Sequence, residues 1–184
     1  DVGGEYRGLA TANTGRTSFT SGSTDFFSTT RIGDHLQVLS EIVGEFNLDT
    51  NEIGFEIERL WTSWRANDLF YLKLGREHTP LNRWNRRYHH GGVLWPSATQ
   101  PFVSRFEDGG GPLPVHQVGV EAGGRLNARL GALSYAAVVA NGRGATQVEV
   151  PNASDRNDSK SYLASASLAP SATPGLEFGS SFQT

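Results

Sequence analysis

A hydrophobic repeat of two residues narrows the choice of fold more than anything else in this chain. In the run from Leu36 to Phe46, the even positions Leu36, Val38, Ile42 and Phe46 are apolar, whereas Gln37, Glu41 and Glu45 fall at odd ones. Ile53, Phe55 and Ile57 alternate with Gly54, Glu56 and Glu58, and Phe70, Leu72 and Leu74 with Tyr71, Lys73 and Gly75. Val118, Val120 and Ala122 alternate with Gln117, Gly119 and Glu121. Successive side chains of a strand point to opposite faces, so this repeat predicts strands with one apolar and one polar face. No stripe of period 3.6 emerges, and Gly is scattered throughout, which disfavours helix. The predicted class is all-β.

Nine strands are predicted, over 3–12, 23–32, 35–47, 52–65, 69–77, 115–129, 132–141, 159–169 and 175–184. The links after strands two, four, six and eight are short, and those after strands one, five and seven are long (13–22, 78–114 and 142–158). The four-residue link 48–51 after strand three is the exception. Short turns at one end and long loops at the other are the pattern of an antiparallel up-and-down transmembrane β-barrel. A soluble β-sandwich also alternates but has no reason to sort its loops by strand parity.

Composition agrees with both folds and removes others. With 16 Lys and Arg against 19 Asp and Glu, the net charge of -3 lacks the basic footprint of a nucleic-acid-binding domain. No run approaches the ~20 apolar residues of a transmembrane helix, but barrel strands average to a polar composition and escape that test. Cysteine is absent, so disulfides, thiolate metal sites and Cys nucleophiles are excluded. Nine strands leave the last one rising where an even-stranded barrel would have returned. The chain, which begins at Asp1 without a leader, is therefore expected to be the N-terminal part of a larger barrel. Residues 1–184 would form one incomplete barrel domain.

Two local features bear on a membrane. Trp61, Trp64, Phe70 and Tyr71 gather at one short-turn end, as an interfacial girdle would, although the closed end of an ordinary β core would look the same. Arg59 falls on the face of Ile53, Phe55 and Ile57. A bulge near Glu58-Arg59 would turn it inward and place Leu60 outside.

The distinctive block is 75–119, reading GREHTPLNRWNRRYHHGGVLWPSATQPFVSRFEDGGGPLPVHQVG. It carries Gly75-Arg76 at a strand end, then Thr79-Pro80, Trp84-Asn85, the paired His89-His90, Arg105-Phe106-Glu107 and Leu113-Pro114-Val115-His116. On these residues the chain resembles bacterial outer-membrane porin-type β-barrels of the phosphate-selective-porin-like kind, and Asn141-Gly142-Arg143-Gly144 fits the same pattern. The likeness is specific over about 45 residues and general elsewhere. It implies a barrel of about 16 strands in the outer membrane of a Gram-negative bacterium, contacting lipid and assembling as a homotrimer or within a larger envelope complex.

Read on its own residues, the link 78–114 is too long for a turn. Its Leu81, Trp84, Tyr88, Val93, Leu94, Trp95, Phe102, Val103 and Phe106 argue for packing. Such a loop after strand five can fold into the lumen. Arg83, Arg86, Arg87 and Arg105 would then line a constriction as planar donors for carboxylate or phosphate oxygens. Glu41, Glu45, Glu56 and Glu58, at inward positions of strands three and four, would face them. A basic loop opposite an acidic wall makes a transverse field that screens solutes by charge. The bland alternative is that each Arg–Glu pair merely staples the loop to the wall.

Other constellations carry less. His78, His89, His90 and His116 with Glu77 and Glu107 invite a metal site. However, His89-His90 would point apart in an extended segment, and no pair has the i, i+4 spacing of a helical site, so no metal is expected. His89 and His90 could still make the loop pH-sensitive. Ser97, Asp108 and His116 make a triad only on paper, without a nucleophile elbow. Gly109-Gly110-Gly111 lacks the Lys-Ser/Thr of a phosphate loop, and Asp155-Arg156-Asn157-Asp158 lacks the rest of a Ca²⁺ loop.

The expectation is a porin-like channel passing small hydrophilic solutes, anionic ones among them, passively, with no enzyme activity and no cofactor. The competing readings are a non-conducting barrel acting as scaffold or sheath, a soluble β-sandwich binding module, and an outer-membrane enzyme.

Overall fold

The structure, a computed structural model, describes residues 2–13, 16–48, 50–81, 85–86, 114–142 and 158–184, with side chains from residue 22 onward. It is all-β. The strands are β1 (Val2–Asn13), β2 (Arg16–Ile32), β3 (Leu36–Asn47), β4 (Glu52–Asn67), β5 (Phe70–His78), β6 (His116–Ala128), β7 (Gly131–Asn141), β8 (Lys160–Pro170) and β9 (Phe178–Gln183). Their order in the sheet is their order in the chain, and β1 through β3 and β5 through β9 pair antiparallel with their neighbours. The chain divides into two compact units, Asp1–Thr62 and Ser63–Thr184, with the boundary inside β4.

One expectation is overturned. The link after β1 is not the loop 13–22, because β2 starts at Arg16 and Asn13 pairs directly with Arg16. Residues 16–24, RTSFTSGST, carry no apolar alternation, so the repeat is silent there. Ladder pairing with β1 extends the strand regardless, and Thr and Phe suit it. The long links that remain follow β5 and β7, whereas the one after β8 (171–177) outruns that after β1. Loop length therefore sorts by parity less regularly than the repeat alone suggested.

In the first unit, register sets the faces. Asp25 lies opposite Val43 and Phe27 opposite Glu41, so these four share one face, and Phe26 opposite Ile42 occupies the other. Asp25, Glu41 and Val43 are buried, while Phe26, Ile42, Ile53, Phe55 and Ile57 are exposed. Phe55 lays its ring over Gly44, whose absent side chain leaves the room: a Cβ there would meet the ring edge at 3.2 Å. Along β4 the alternation slips. Ile53, Phe55 and Ile57 are exposed, then Leu60, and Arg59 reaches buried Glu41 on the opposite side of the sheet from Phe55.

The second unit shows the same inversion over more strands. Leu74, Val120, Leu133, Tyr135, Val139, Tyr162, Leu168, Phe178 and Phe182 are all exposed. The registers Leu74↔Val120, Val120↔Val139, Val139↔Tyr162 and Leu168↔Phe178 string the exposed positions along one face. The opposite, covered face carries Glu77, Gln117, Glu121, Ala136, Val138, Ala140, Ser161 and Leu163, all buried. Val138, Ala140 and Leu163, with Leu81 packed on them, form the only apolar cluster among the described residues. The turn between β4 and β5 closes through Asn67, whose Oδ1 accepts from Leu69 N at 2.9 Å and Phe70 N at 3.0 Å. This Asx arrangement makes a tight reversal. Trp64 and Phe70 meet edge to face beside it, 6.4 Å apart.

Candidate functional site: a loop anchored on the polar face

The long link leaves β5 through a closely bonded neck. Thr79 N donates to Val115 O at 2.8 Å, and Thr79 Oγ1 donates to Pro114 O at 2.5 Å. Asn85, fully buried, donates through Nδ2 to Val115 O (2.8 Å), Thr79 Oγ1 (3.0 Å) and Thr79 O (3.1 Å). A buried amide at this position ties the returning chain to both sides of the neck, and an apolar residue could make none of these bonds.

From that anchor, Arg86 reaches the covered face of the sheet and pairs with Glu121 on β6. Glu121 is 2% exposed, and its Oε1 also accepts from Tyr71 Oη at 2.5 Å. Tyr71 stands opposite Gly123. A Cβ on Gly123 would lie 2.8 Å from Tyr71 Cζ and 2.5 Å from Tyr135 O, so only glycine lets the ring cross to Glu121. The second carboxylate oxygen, Oε2, is buried and has no hydrogen-bond partner among the described residues. Burial works against the Arg86 charge, but the attraction of Glu121 outweighs it and holds the guanidinium above its ordinary pKa. Arg86 therefore stays cationic at every physiological pH.

Further charges line this wall. Lys73, opposite Glu121 in the β5–β6 register, bonds Glu77 at 2.7 Å, and its ammonium lies 6.0 Å from the Tyr71 ring centroid. The Arg65 guanidinium stands 5.2 Å from the same centroid. The neck also crosses the neighbouring strands: Leu81 packs on Val138, Ala140 and Leu163, and its carbonyl accepts from Ser181 on β9. The described part of the link thus lies over the covered face of β6, β7, β8 and β9.

Of the four loop arginines expected to face Glu41, Glu45, Glu56 and Glu58, Arg86 alone lies among the described residues, and its ion pair is with a different acid. Arg86 finds Glu121, and Glu41 finds Arg59 on the adjacent β4. Glu58 is buried, whereas Glu45 and Glu56 are exposed. Arg83, Arg87, Arg105, His89 and His90 lie outside the described residues, as do Ser97, Asp108, Glu107 and the Gly109–Gly111 run. The reading from residues alone missed Tyr71, Lys73, Asn85 and Glu121 as partners. The signal for three of them was present, since Tyr71, Lys73 and Glu121 occupy the polar positions of alternating strands. What was lacking was the register that sets them side by side.

His78 and His116 are likewise opposed at the top of the β5–β6 pair, both 3% exposed, with ring centroids 5.1 Å apart. Comparison with family models, with curated proteins and with solved structures returns no match for this chain.

Proposed function

We propose that the chain is part of an outer-membrane β-barrel of porin type, whose exposed apolar face meets lipid and whose covered polar face borders the path of small hydrophilic solutes. One observation carries this reading: the sheet is inside out. In water, the face with Leu74, Val120, Leu133, Val139 and Phe182 would be the covered one, and Glu121, Glu77 and Gln117 would be exposed. The reverse arrangement places the apolar side chains where only lipid or a partner surface removes them from water. The lengths suit a bilayer, since β5, β6, β7 and β8 have 9, 13, 11 and 11 residues, against the ~9–11 a tilted spanning strand requires. Trp64, Phe70 and Tyr135 then stand at the short-turn end as an interfacial belt.

In this reading the chain needs no cofactor and performs no covalent chemistry. Its charged wall, Arg65, Lys73 and Arg86 with Glu77 and Glu121, discriminates solutes by charge. A second reading, a non-conducting scaffold barrel, is favoured by the neck itself. Leu81 and Asn85-Arg86 rest on the polar face and neutralise part of it, as a plug would.

Planar-bilayer recording of the purified full-length protein under a salt gradient separates the two. Discrete conductance steps with a non-zero reversal potential are expected. Silence from protein shown to be folded and inserted would establish the scaffold. Failure to enter lipid at all would return the sheet to the soluble class.

A further inference from the structure

The last residue of β5 and the first of β6 are both histidines, and the antiparallel register sets His78 directly opposite His116. Directly opposed residues of an antiparallel pair hold their Cβ atoms about 4.5–5.5 Å apart, a span from which two imidazoles can aim at one point. Here the rings are tilted by 48° with centroids 5.1 Å apart, and a nitrogen of each lies within 4.8 Å of the other. The sequence separation hides this arrangement, because metal motifs are recognised by short spacings along one element, and this pair is created by register across a long loop.

We propose that His78 and His116 form a two-histidine chelate for a late first-row divalent cation, with Zn²⁺ as the probe. Imidazole nitrogen is a borderline donor that suits Zn²⁺, Ni²⁺ and Cu²⁺ and discriminates against the oxygen-seeking Ca²⁺ and Mg²⁺. Zinc–nitrogen bonds of about 2.0–2.1 Å in a tetrahedral arrangement bring two ligand nitrogens to roughly 3.3 Å. Side-chain rotation supplies that approach while the paired backbones stay in register. Water or other oxygen donors complete the coordination sphere. The ion cross-links β5 to β6 one residue before the Thr79–Val115 hydrogen bond, and so secures the neck that holds Asn85 and Arg86 in place. The site stands on β5 and β6 alone and requires no pore, so it survives or fails independently of the porin-type reading.

The test is calorimetric titration of the chelator-treated full-length protein with Zn²⁺, alongside Co²⁺ spectroscopy, which reports nitrogen ligation directly. The chain has five histidines, so the controls are defined: His35→Ala, and His89→Ala with His90→Ala. The expected result is one Zn²⁺ per chain, weakened by more than roughly tenfold in His78→Ala and in His116→Ala, and unchanged in the controls. Zinc should also raise the denaturation midpoint of the wild type and of neither neck variant, since a ligand of the native state stabilises it by mass action. Where an alanine variant does not fold, His78→Gln and His116→Gln retain a hydrogen-bonding amide, and the same loss is expected of them. No stoichiometric binding by the wild type would overturn the proposal. So would binding that persists in folded neck variants, or binding that is lost with His89 and His90 instead.

Discussion

Glu121 concentrates the tension of this molecule in one side chain. It is a carboxylate at 2% exposure, shared between the phenol of Tyr71 and the guanidinium of Arg86, on a strand whose other face is apolar. Removing its charge while keeping its shape separates two consequences. Glu121→Gln is expected to lower stability by about 1–2 kcal/mol, the value of a charge-assisted hydrogen bond reduced for the partial exposure of Arg86. Urea unfolding in lipid vesicles measures this. If the covered face borders a solute path, the same variant should also shift the reversal potential toward anions, because Arg86 and Lys73 would then outnumber the remaining acid. Lost stability with unchanged selectivity would assign Glu121 to holding the loop and nothing more. Sequence alone pointed to an arginine-bearing loop meeting an acidic wall of Glu41, Glu45, Glu56 and Glu58, whereas Arg86 pairs with Glu121 on β6. The partner differs because alternation tells which face a residue occupies but not which strand lies beside it. Glu41 was one strand away from Arg59 and satisfied locally.

Strand assignment shows the same division between what a pattern can and cannot carry. β3 through β8 fall within a residue or two of where the apolar repeat put them, because one-sided burial imposes strict alternation. β2 was cut short, since its Ser- and Thr-rich start has Phe19 as its one apolar residue, too few to mark a face. Arg59 was legible as an anomaly, and its side chain now stands opposite Phe55 with Leu60 exposed beyond it. The environment of the exposed face can be tested on β7, where Ala137 is exposed and its neighbour Ala136 is buried. Ala137→Arg should cost about 2–4 kcal/mol if the face meets the middle of a bilayer. In water an exposed Ala→Arg change stays within about 0.5 kcal/mol. Folding free energies in vesicles measure the cost. A negligible effect would take lipid away from this face.

For the molecule as a whole, Trp64 offers a depth gauge. It is exposed at the short-turn end beside Phe70, where an interfacial ring belongs. In a protein retaining Trp64 alone, brominated lipids labelled near the headgroup should quench its fluorescence more strongly than those labelled at the chain terminus. Equal or absent quenching would count against a membrane belt. The succession of strands has a kinetic corollary. Because every strand neighbours its successor in the chain, nearly all pairing is local, and hairpins can add one after another with little entropy lost to search. The step from β5 to β6 breaks that economy, since it must close a far longer segment than any of the tight turns before it. Closure of that segment is the expected slow step of assembly, and Asn85 with its three bonds at the neck is the contact that would report it. Substituting Asn85 should retard refolding more than it hastens unfolding, the signature of a contact already made at the barrier.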